Sequence, residues 1–214
     1  TLVEETVTIR SMLSSDTVHG FESPSTLLAD EMMTYSNMSA GQTITASGGS
    51  LGYVVADETA TDAHLVTGGG LKLYVSPAPD GSYQATAWNL AWDGITDDTI
   101  KLQAALDAAA GTALHLPEGT GVISSGANTY GIRMAGASSS LVGPGANCCI
   151  IKYTSSSLDQ PALRVEASRC AIRGITFDNT ANATNTVSTI SGCSGVYTLD
   201  VNDTQITECG FEGG

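Results

Sequence analysis

The sequence predicts a mainly β protein whose second half is a solenoid of short, stacked strands. Of the 214 residues, 42% are hydrophobic, and Gly, Ser, Thr and Ala are abundant, which favours brief strands and tight turns. Residues 162–179 and 196–213 also align at a shift of 34 residues with their apolar positions coinciding. Such a repeat indicates coils that bury their inner faces against each other. We therefore expect a parallel β-helix.

The N-terminal part is predicted to contain a linker and a small β module. Residues 1–30 combine weak helical spacing with Gly and Pro, which favours a linker or a short helix. Residues 31–85 alternate β-prone runs with Gly-rich turns, which is typical of a compact β module. The segment 76–84, with two prolines and an Asp-Gly pair, should form a hairpin or the link to the second half.

Residues 86–214 are predicted to begin the β-helix, with an α-helix at about 98–110 in front of its first coil. The apolar face of this α-helix is narrow and made mostly of small residues, so it suits a cap over the open edge of the first coil. Asp97 and Asp98 lie where unpaired backbone N–H groups and the positive end of the helix dipole favour carboxylates. Asp93 begins a turn before them. We interpret these aspartates as structural rather than catalytic.

The 34-residue shift also predicts which side chains meet in neighbouring coils. The expected pairs are Leu163–Tyr197, Val165–Leu199, Ile172–Ile206, Ile175–Cys209 and Phe177–Phe211. The two Phe rings should stack one coil apart, at about the 4.8 Å spacing between strands. The segment 179–195, rich in Asn, Thr and Ser, is expected to loop out from the coil, where binding surfaces are often built.

Composition and charge argue against a nucleic-acid ligand, and the sequence shows neither a membrane span nor a signal peptide. The chain carries 22 acidic and 8 basic residues, a net charge of −14, which argues against nucleic acid because phosphate binding needs clustered Lys and Arg. A saccharide, held by hydrogen bonds and aromatic faces, is compatible with this charge. No apolar run of membrane length is present, and the start TLVEETVTIR does not resemble a signal peptide. Without an initiator Met, and with GFEGG at its end, we expect the chain to be a fragment.

Cysteine and histidine spacing predicts no metal site, and no cofactor is expected. The five cysteines contain no Cys-x-x-Cys pair, so they indicate small buried hydrophobes rather than a disulfide framework or a zinc site; they are Cys148, Cys149, Cys170, Cys193 and Cys209. The histidines His19, His64 and His115 are scattered without metal-ligand spacing, and His115 is expected to be a structural strand residue.

The repeat brings two pairs of acidic residues to equivalent positions. Glycan hydrolysis typically uses two carboxylates, about 5–9.5 Å apart depending on its stereochemistry. The 34-residue shift places Asp178 beside Glu212, and Glu166 beside Asp200. Asp178 and Glu212 are the weak catalytic candidates, because solvated acids are expected at such turns without any catalytic role.

Three arginines lie close together on one coil and could neutralise an acidic sugar in a lyase. They are Arg164, Arg169 and Arg173. The equivalents of Arg169 and Arg173 in the next coil are Asp203 and Thr207, neither of which is basic. A solvated face is therefore the favoured interpretation of this cluster.

The stretch DGITDDTIKLQAALDAAAGTALHLPEGT, residues 93–120, resembles the entry motif of pectate-lyase-like right-handed parallel β-helices, especially those of bacteriophage tailspikes. Residues 27–75 resemble the small β module that precedes the β-helix in many tailspikes. Two departures stand out: Gly121 occupies a place where the family commonly has an aromatic residue, and WNLAWDG replaces the family's FGAKGDG lead-in.

The resemblance implies a homotrimer in the virion tail, assembled in the bacterial cytoplasm. Its N-terminal part would attach to other tail or baseplate proteins, and its β-helix would recognise and depolymerise a bacterial surface polysaccharide. The depolymerase, a glycoside hydrolase or a lyase, would have its complete active site beyond this segment. Nucleic acid and membrane are not expected partners. The alternatives are a non-catalytic tail adaptor or receptor-binding protein, and a secreted bacterial polysaccharide lyase.

Overall fold

The computed structural model describes residues 19–125, 130–154, 160–180, 195–199 and 201–212. Within these ranges the chain forms eighteen short strands and two α-helices, which assemble into one mixed and three parallel sheets. The mainly β prediction is therefore confirmed. Most of the predicted loop at 179–195, together with Cys193 and Asp200, lies outside the described residues.

The N-terminal sheet has five strands and is mixed, with both parallel and antiparallel pairs. Its strands are β1 (His19–Phe21), β2 (Thr43–Ala46), β3 (Leu51–Val55), β4 (Leu65–Val66) and β5 (Lys72–Ser76). The spatial order is β1-β2-β3-β5-β4, with β1 parallel to β2 and the other pairs antiparallel. Leu51, Tyr53 and Val55 alternate into the core. Because β1 belongs to this sheet, the sheet begins before residue 31.

Helix α1 (Pro24–Ala29) connects β1 to the rest of this sheet. Ser23 caps the start of this helix. Its hydroxyl accepts a hydrogen bond from the Thr26 N–H at 3.2 Å, and the Thr26 hydroxyl accepts one from the Ser23 N–H at 3.0 Å. This reciprocal capping box satisfies two donors that a helix start otherwise leaves unpaired. The helix buries Leu27 completely.

The second half is a stack of coils that contribute strands to three parallel sheets. Its strands are β6 (Tyr83–Gln84), β7 (Asp93–Asp97), β8 (Ala113–His115), β9 (Gly119–Ser124), β10 (Ile132–Met134), β11 (Ser140–Val142), β12 (Cys149–Thr154), β13 (Leu163–Val165), β14 (Ala171–Arg173), β15 (Thr176–Asp178), β16 (Val196–Thr198), β17 (Gln205–Thr207) and β18 (Gly210–Glu212). The three parallel sheets are numbered here by their strand orders: the first sheet is β6-β8-β11-β14-β17, the second is β7-β9-β12-β15-β18 and the third is β10-β13-β16. Chain order thus visits the three sheets in turn, as in a β-helix.

Helix α2 (Thr99–Ala108) follows β7, at the point where later coils add a strand to the third sheet. It lies against β10 and buries Leu102, Ala105 and Leu106. The Gln103 side chain accepts a hydrogen bond from the Arg133 N–H at 2.8 Å and donates one to the Arg133 carbonyl at 3.1 Å. One amide therefore satisfies both backbone groups of a residue on the sheet edge. No helix in the described ranges is long and apolar enough to cross a membrane.

The N-terminal sheet and the coils share one hydrophobic core. The Tyr53 hydroxyl on β3 donates a hydrogen bond to the Ala87 carbonyl at 3.0 Å, and burial raises the pKa of this hydroxyl. Trp88 is 1% exposed, and its ring lies 5.7 Å from that of His64 and 5.8 Å from that of Tyr83. Aromatic packing therefore joins the two parts.

The predicted register is correct in two of the three parallel sheets. Ile172 pairs with Ile206, and Phe177 with Phe211, at the expected shift of 34 residues. The two Phe rings stack with centroids 5.7 Å apart and an interplanar angle of 13°. The prediction of stacked aromatic rings is therefore confirmed.

The predicted register is wrong by one residue in the third sheet. Leu163 pairs with Val196 and Arg164 with Tyr197, a shift of 33 rather than 34. The reason lies in the connections: residues 166–170 link β13 to β14, whereas the longer segment 199–204 links β16 to β17. The extra residue lets Val196 point inward while Tyr197 takes the outward position, because side chains alternate between the faces of a strand.

Gly121, which departs from the family pattern, is explained by Trp92. A Cβ atom added to Gly121 would lie 2.2 Å from Cζ3 of the Trp92 ring, so the indole occupies the space that a side chain would need. Trp92 reaches this place from the segment before β7, with a backbone φ of 45°. An aromatic ring therefore fills the position at the first coil, but it comes from the segment that precedes the neighbouring strand β7.

Candidate functional site

An open cavity of about 440 Å³ lies between helix α2 and the edge strand β10. Its lining combines apolar, amide, carboxylate, phenol and guanidinium groups, from Thr99, Ile100, Gln103, Ala104, Asp107, Tyr130, Gly131 and Arg133. A cavity of this volume falls in the range of about 300–1,000 Å³ that is typical of small-molecule sites. We take it as the candidate site.

The helix side of the cavity carries a fixed amide and a carboxylate. Gln103 is held by its two hydrogen bonds to the backbone of Arg133, and it also donates to Asp107 Oδ1 at 2.9 Å. Gln103 and Asp107 are four residues apart, so the helix presents them on the same face. The Asp107 carboxylate is exposed and can accept further hydrogen bonds.

The strand side carries a column of outward side chains on the third sheet. Arg133, Arg164 and Tyr197 are register partners on β10, β13 and β16. Glu166 lies between the two arginines: its Oε1 is 2.8 Å from Arg164 Nε, and its Oε2 is 3.7 Å from Arg133 Nη1. The Arg164 guanidinium carbon lies 5.4 Å from the centroid of the Tyr130 ring, a cation–π contact.

The predicted pairing of Glu166 with Asp200 lies outside the described residues, because Asp200 is not among them. In the structure Glu166 instead makes ion pairs with the two arginines. Arg164, predicted to belong to a solvated face, is therefore part of a polar cluster beside the cavity.

Asp178 and Glu212, the weak catalytic candidates, are direct register partners on β15 and β18, as predicted. They lie on the second sheet and do not line the cavity. Asp178 accepts a hydrogen bond from the Thr180 N–H at 2.8 Å, and Glu212 is exposed. Lys152 occupies the same position one coil earlier than Asp178. A catalytic role for the pair stays a prediction.

The remaining arginines of the predicted cluster are exposed. Arg173 on β14 pairs in register with Thr207 on β17, as expected. Both strands belong to the first parallel sheet. Arg169 occupies a turn with a φ of 61°, and its N–H donates to the Asn202 carbonyl at 2.9 Å. Neither residue lines the cavity.

The aspartates before α2 bond to the backbone, but Asp98 does not cap its own helix. Asp98 is 1% exposed and accepts hydrogen bonds from the N–H groups of Ala91 at 2.8 Å and Trp92 at 2.9 Å. It therefore fixes the segment that carries the Trp92 ring. Asp93 accepts from two backbone N–H groups of its turn, and these bonds hold the pKa of its carboxyl below the ordinary value.

Asp97 supplies the helix-start hydrogen bond that was predicted for the pair of aspartates. It accepts from the Thr99 N–H at 2.8 Å and from the Ser124 hydroxyl at 2.5 Å. Burial alone would raise the pKa of Asp97, but these hydrogen bonds outweigh it and leave the pKa below its ordinary value. The interpretation of Asp97 and Asp98 as structural residues agrees with these contacts.

Two of the cysteines fit the predicted role of small buried hydrophobes. Cys149 and Cys170 are buried, and burial raises the pKa of the Cys149 thiol to about 12. Cys148 is exposed and Cys209 is half-buried, so the prediction is wrong for Cys148. The described cysteines are free thiols.

The histidines occupy structural positions. His19 and His115 lie on strands, in agreement with the expectation for His115. His64 Nδ1 accepts a hydrogen bond from the Val75 N–H at 3.0 Å, and burial lowers the pKa of this histidine. Over the part of the chain that the structure describes, no group of three or more His, Cys, Asp or Glu side chains could hold a metal ion.

The comparisons with solved structures identify the fold. The chain is similar to the A-modules of the mannuronan C-5 epimerases AlgE6 and AlgE4 from Azotobacter vinelandii, each with 23% identity and a TM-score of 0.50 over 60% of this chain. It is also similar to ORF18 of Geobacillus virus E2, with 14% identity and a TM-score of 0.50 over 91% of this chain. The aligned part spans 37%, 38% and 38% of these three proteins.

No protein-family model and no curated protein sequence matches this chain. The structural likeness therefore shows the fold alone: a mostly β chain with stacked parallel sheets of the β-helix type. The neighbours include proteins named for action on a polysaccharide and a protein of phage origin.

None of the eight residues that line the cavity was predicted from sequence to belong to a site, and this includes Gln103, Asp107, Tyr130 and Arg133. One signal could have found Arg133, because the triplets Ile132-Arg133-Met134 and Leu163-Arg164-Val165 repeat an apolar–Arg–apolar pattern. Gln103 and Asp107 lie four residues apart in the helix that was predicted, but nothing in their spacing shows which strand they face.

Proposed function

We propose that this chain is the N-terminal part of a bacteriophage tailspike that recognises a host surface polysaccharide and, as the full protein, depolymerises it. The observation that carries this proposal is the cavity beside β10, which is lined by the Tyr130 ring, the Arg133 guanidinium and the Asp107 carboxylate at the side of the stacked coils. Saccharides are commonly held by such combinations of ring faces and polar groups. Structural similarity to polysaccharide-acting enzymes and to a phage protein supports the proposal.

In this proposal each part of the chain has its own task. The N-terminal segment, 1–30, and the β module, 31–85, anchor the spike to other tail or baseplate proteins of the virion. Helix α2 caps the first coil of a right-handed parallel β-helix, and the hydrogen bonds of Gln103 to the edge of β10 support that role. Three copies assemble in the bacterial cytoplasm into a homotrimer.

Catalysis belongs to the full protein, whose complete active site extends beyond this segment, rather than to the cavity beside α2. Asp178 and Glu212 are the weak candidates within the segment, because they supply two carboxylates at neighbouring coil positions, which is the general requirement for glycoside hydrolysis. Because they lie on a different sheet from the cavity, recognition and cleavage would use separate faces of the coil stack.

The test is to incubate the full-length parent protein with purified surface polysaccharides from candidate hosts and to analyse the products by mass spectrometry. We expect oligosaccharides of defined size; an unsaturated end would identify a lyase. Binding without cleavage would favour the non-catalytic adaptor or receptor-binding alternative. Neither binding nor cleavage on the polysaccharide of the true host would refute the proposed function.

The oligomeric state provides a second, independent test. Light scattering of the full-length protein should give three times the mass of one chain. A monodisperse monomer would contradict the tailspike assignment and favour the secreted lyase alternative.

A further inference from the structure

We infer that the cavity between α2 and β10 is a subsite for a sugar residue that carries a carboxylate, that is, a uronate unit of an acidic polysaccharide. This inference rests on the proposed glycan recognition and specifies its chemistry. It assigns Arg133 to the carboxylate, Asp107 to hydroxyl groups, and Tyr130 with Ile100 to the apolar faces of the sugar ring.

Arg133 is the group that is able to bind a carboxylate. Its side chain is 44% exposed and lines the cavity, and its contact with Glu166 is long, at 3.7 Å. Arg164 lies much nearer to the same carboxylate, at 2.8 Å. Since a guanidinium has five N–H donors in a planar fork, Arg133 keeps donors for the two oxygens of a ligand carboxylate.

The local charge differs from that of the whole chain. The protein has a net charge of −14 with only 8 basic residues, yet Arg133 and Arg164 are direct neighbours across β10 and β13. Glu166 is the acid that pairs with both, so this cluster of three residues carries one excess positive charge on the strand side, which the Asp107 carboxylate balances on the helix side of the cavity. Acidic surroundings repel anions at long range but are screened beyond about 10 Å at moderate salt, whereas the arginines act at contact distance.

The opposite wall supplies acceptors for hydroxyl groups. Asp107 lies on α2, across the cavity from β10, and an ionised carboxylate accepts hydrogen bonds without donating any. Sugar hydroxyls are donors, so Asp107 suits them and disfavours a second ligand carboxylate. A ring with its carboxylate towards Arg133 and its hydroxyls towards Asp107 would satisfy both walls.

Apolar contacts complete the site. Ile100 is 85% exposed on the first turn of α2, and it lines the cavity instead of packing in the core. The Tyr130 ring is held by the Arg164 guanidinium, whose carbon is 5.4 Å from the ring centroid. The C–H faces of a pyranose ring are apolar enough to lie against such groups. An inorganic anion would use Arg133 but would gain nothing from Ile100 or Tyr130.

The experiment uses the full chain and saturation-transfer NMR to measure weak binding of six probes. Three are methyl uronides with gluco, galacto and manno configuration, and three are the corresponding methyl hexosides, which lack the carboxylate. Inorganic phosphate has no carbon-bound protons to observe, so its affinity is measured by competition with the best uronide. We expect at least one uronide to bind about tenfold or more tightly than its hexoside, since a hydrogen bond to a charged group favours binding by about that factor.

The variants separate the arginine contact from net charge. Arg133→Gln should abolish the preference for the uronide, and Arg133→Lys should restore it only in part because Lys lacks the planar fork. Arg173→Gln removes the same charge from an exposed position outside the cavity and should leave the preference unchanged. Asp107→Asn should tighten uronide binding, because it removes a negative charge but keeps an acceptor. Thermal melting of each variant controls for loss of fold.

Four outcomes would overturn the inference. Three of them are equal binding of uronides and hexosides, an equal effect of Arg133→Gln and Arg173→Gln, and phosphate binding as tightly as the best uronide. The fourth is failure of all six sugars to bind. None of these results touches cleavage of host polysaccharide by the full-length protein, so the proposed function stands or falls by its own test.

Discussion

Gly121→Ala should destabilise the protein because the ring of Trp92 already occupies the space of the new methyl group. The added Cβ would lie 2.2, 2.4 and 2.6 Å from three ring carbons. Restoring an ordinary carbon–carbon contact of about 3.5 Å requires the ring or the strand to move by about 1.3 Å. Trp92 cannot shift freely, since its backbone has a φ of 45° and its backbone N–H donates a hydrogen bond to the buried Asp98 carboxylate. Overpacking of this kind costs about 1–3 kcal/mol.

The assay is a double-mutant cycle of unfolding free energies with Trp92→Ala. In the background that lacks the ring, Gly121→Ala should be neutral or stabilising, so the coupling energy should exceed about 1 kcal/mol. Gly20→Ala is the matched control, because the nearest atom to its added Cβ, the Thr45 hydroxyl oxygen, is 3.8 Å away. Equal destabilisation by Gly121→Ala with and without the indole would refute the packing argument.

Three further predictions concern buried and paired acids and one histidine. Asp98→Ala should lower the unfolding free energy by about 1–3 kcal/mol because two backbone donors lose their acceptor, whereas Asp107→Ala on the exposed face should change it by less than about 0.5 kcal/mol in the same melting assay. Burial lowers the pKa of His64 below its ordinary value of 6.5, so the unfolded chain takes up a proton at this residue before the folded chain does. The free energy of unfolding should therefore fall as the pH drops below about 6.5. Denaturant titrations between about pH 7.5 and 5.5 should show a smaller fall for His64→Asn. In the full-length protein, Asp178→Asn and Glu212→Gln should each slow polysaccharide cleavage by about 10²-fold or more with binding retained, and unchanged rates would exclude the pair.

The sequence was sufficient to predict a mainly β chain of stacked parallel strands because the coils repeat. Inward positions must remain apolar in every coil, so Ile172 with Ile206, and Phe177 with Phe211, could be paired from the alignment alone. Helix α2 was also predictable, with bounds that differ by one or two residues from those observed. Both features depend on local spacing, which a single sequence displays directly.

The candidate site was less accessible to sequence reasoning because it depends on contacts between distant segments. Gln103 meets Arg133 across 30 residues of sequence, and that contact depends on where α2 lies relative to the third sheet. The role of Asp98 was missed for a similar reason. Its position suggests a cap for the helix that follows, whereas its carboxylate turns back to the preceding segment.

The one-residue error in the third sheet shows how the length of a connection determines surface chemistry. At a shift of 34 residues Tyr197 would point inward over Leu163; at the observed shift of 33 it lies outward beside Arg164. A slip by one residue exchanges the two faces of a strand, so the longer connection after β16 places an aromatic ring in line with the arginines. Neighbouring strands are about 4.8 Å apart, so Arg133, Arg164 and Tyr197 extend over about 10 Å. An acidic glycan that runs along the stack from the cavity would therefore meet two guanidinium groups and then an aromatic face.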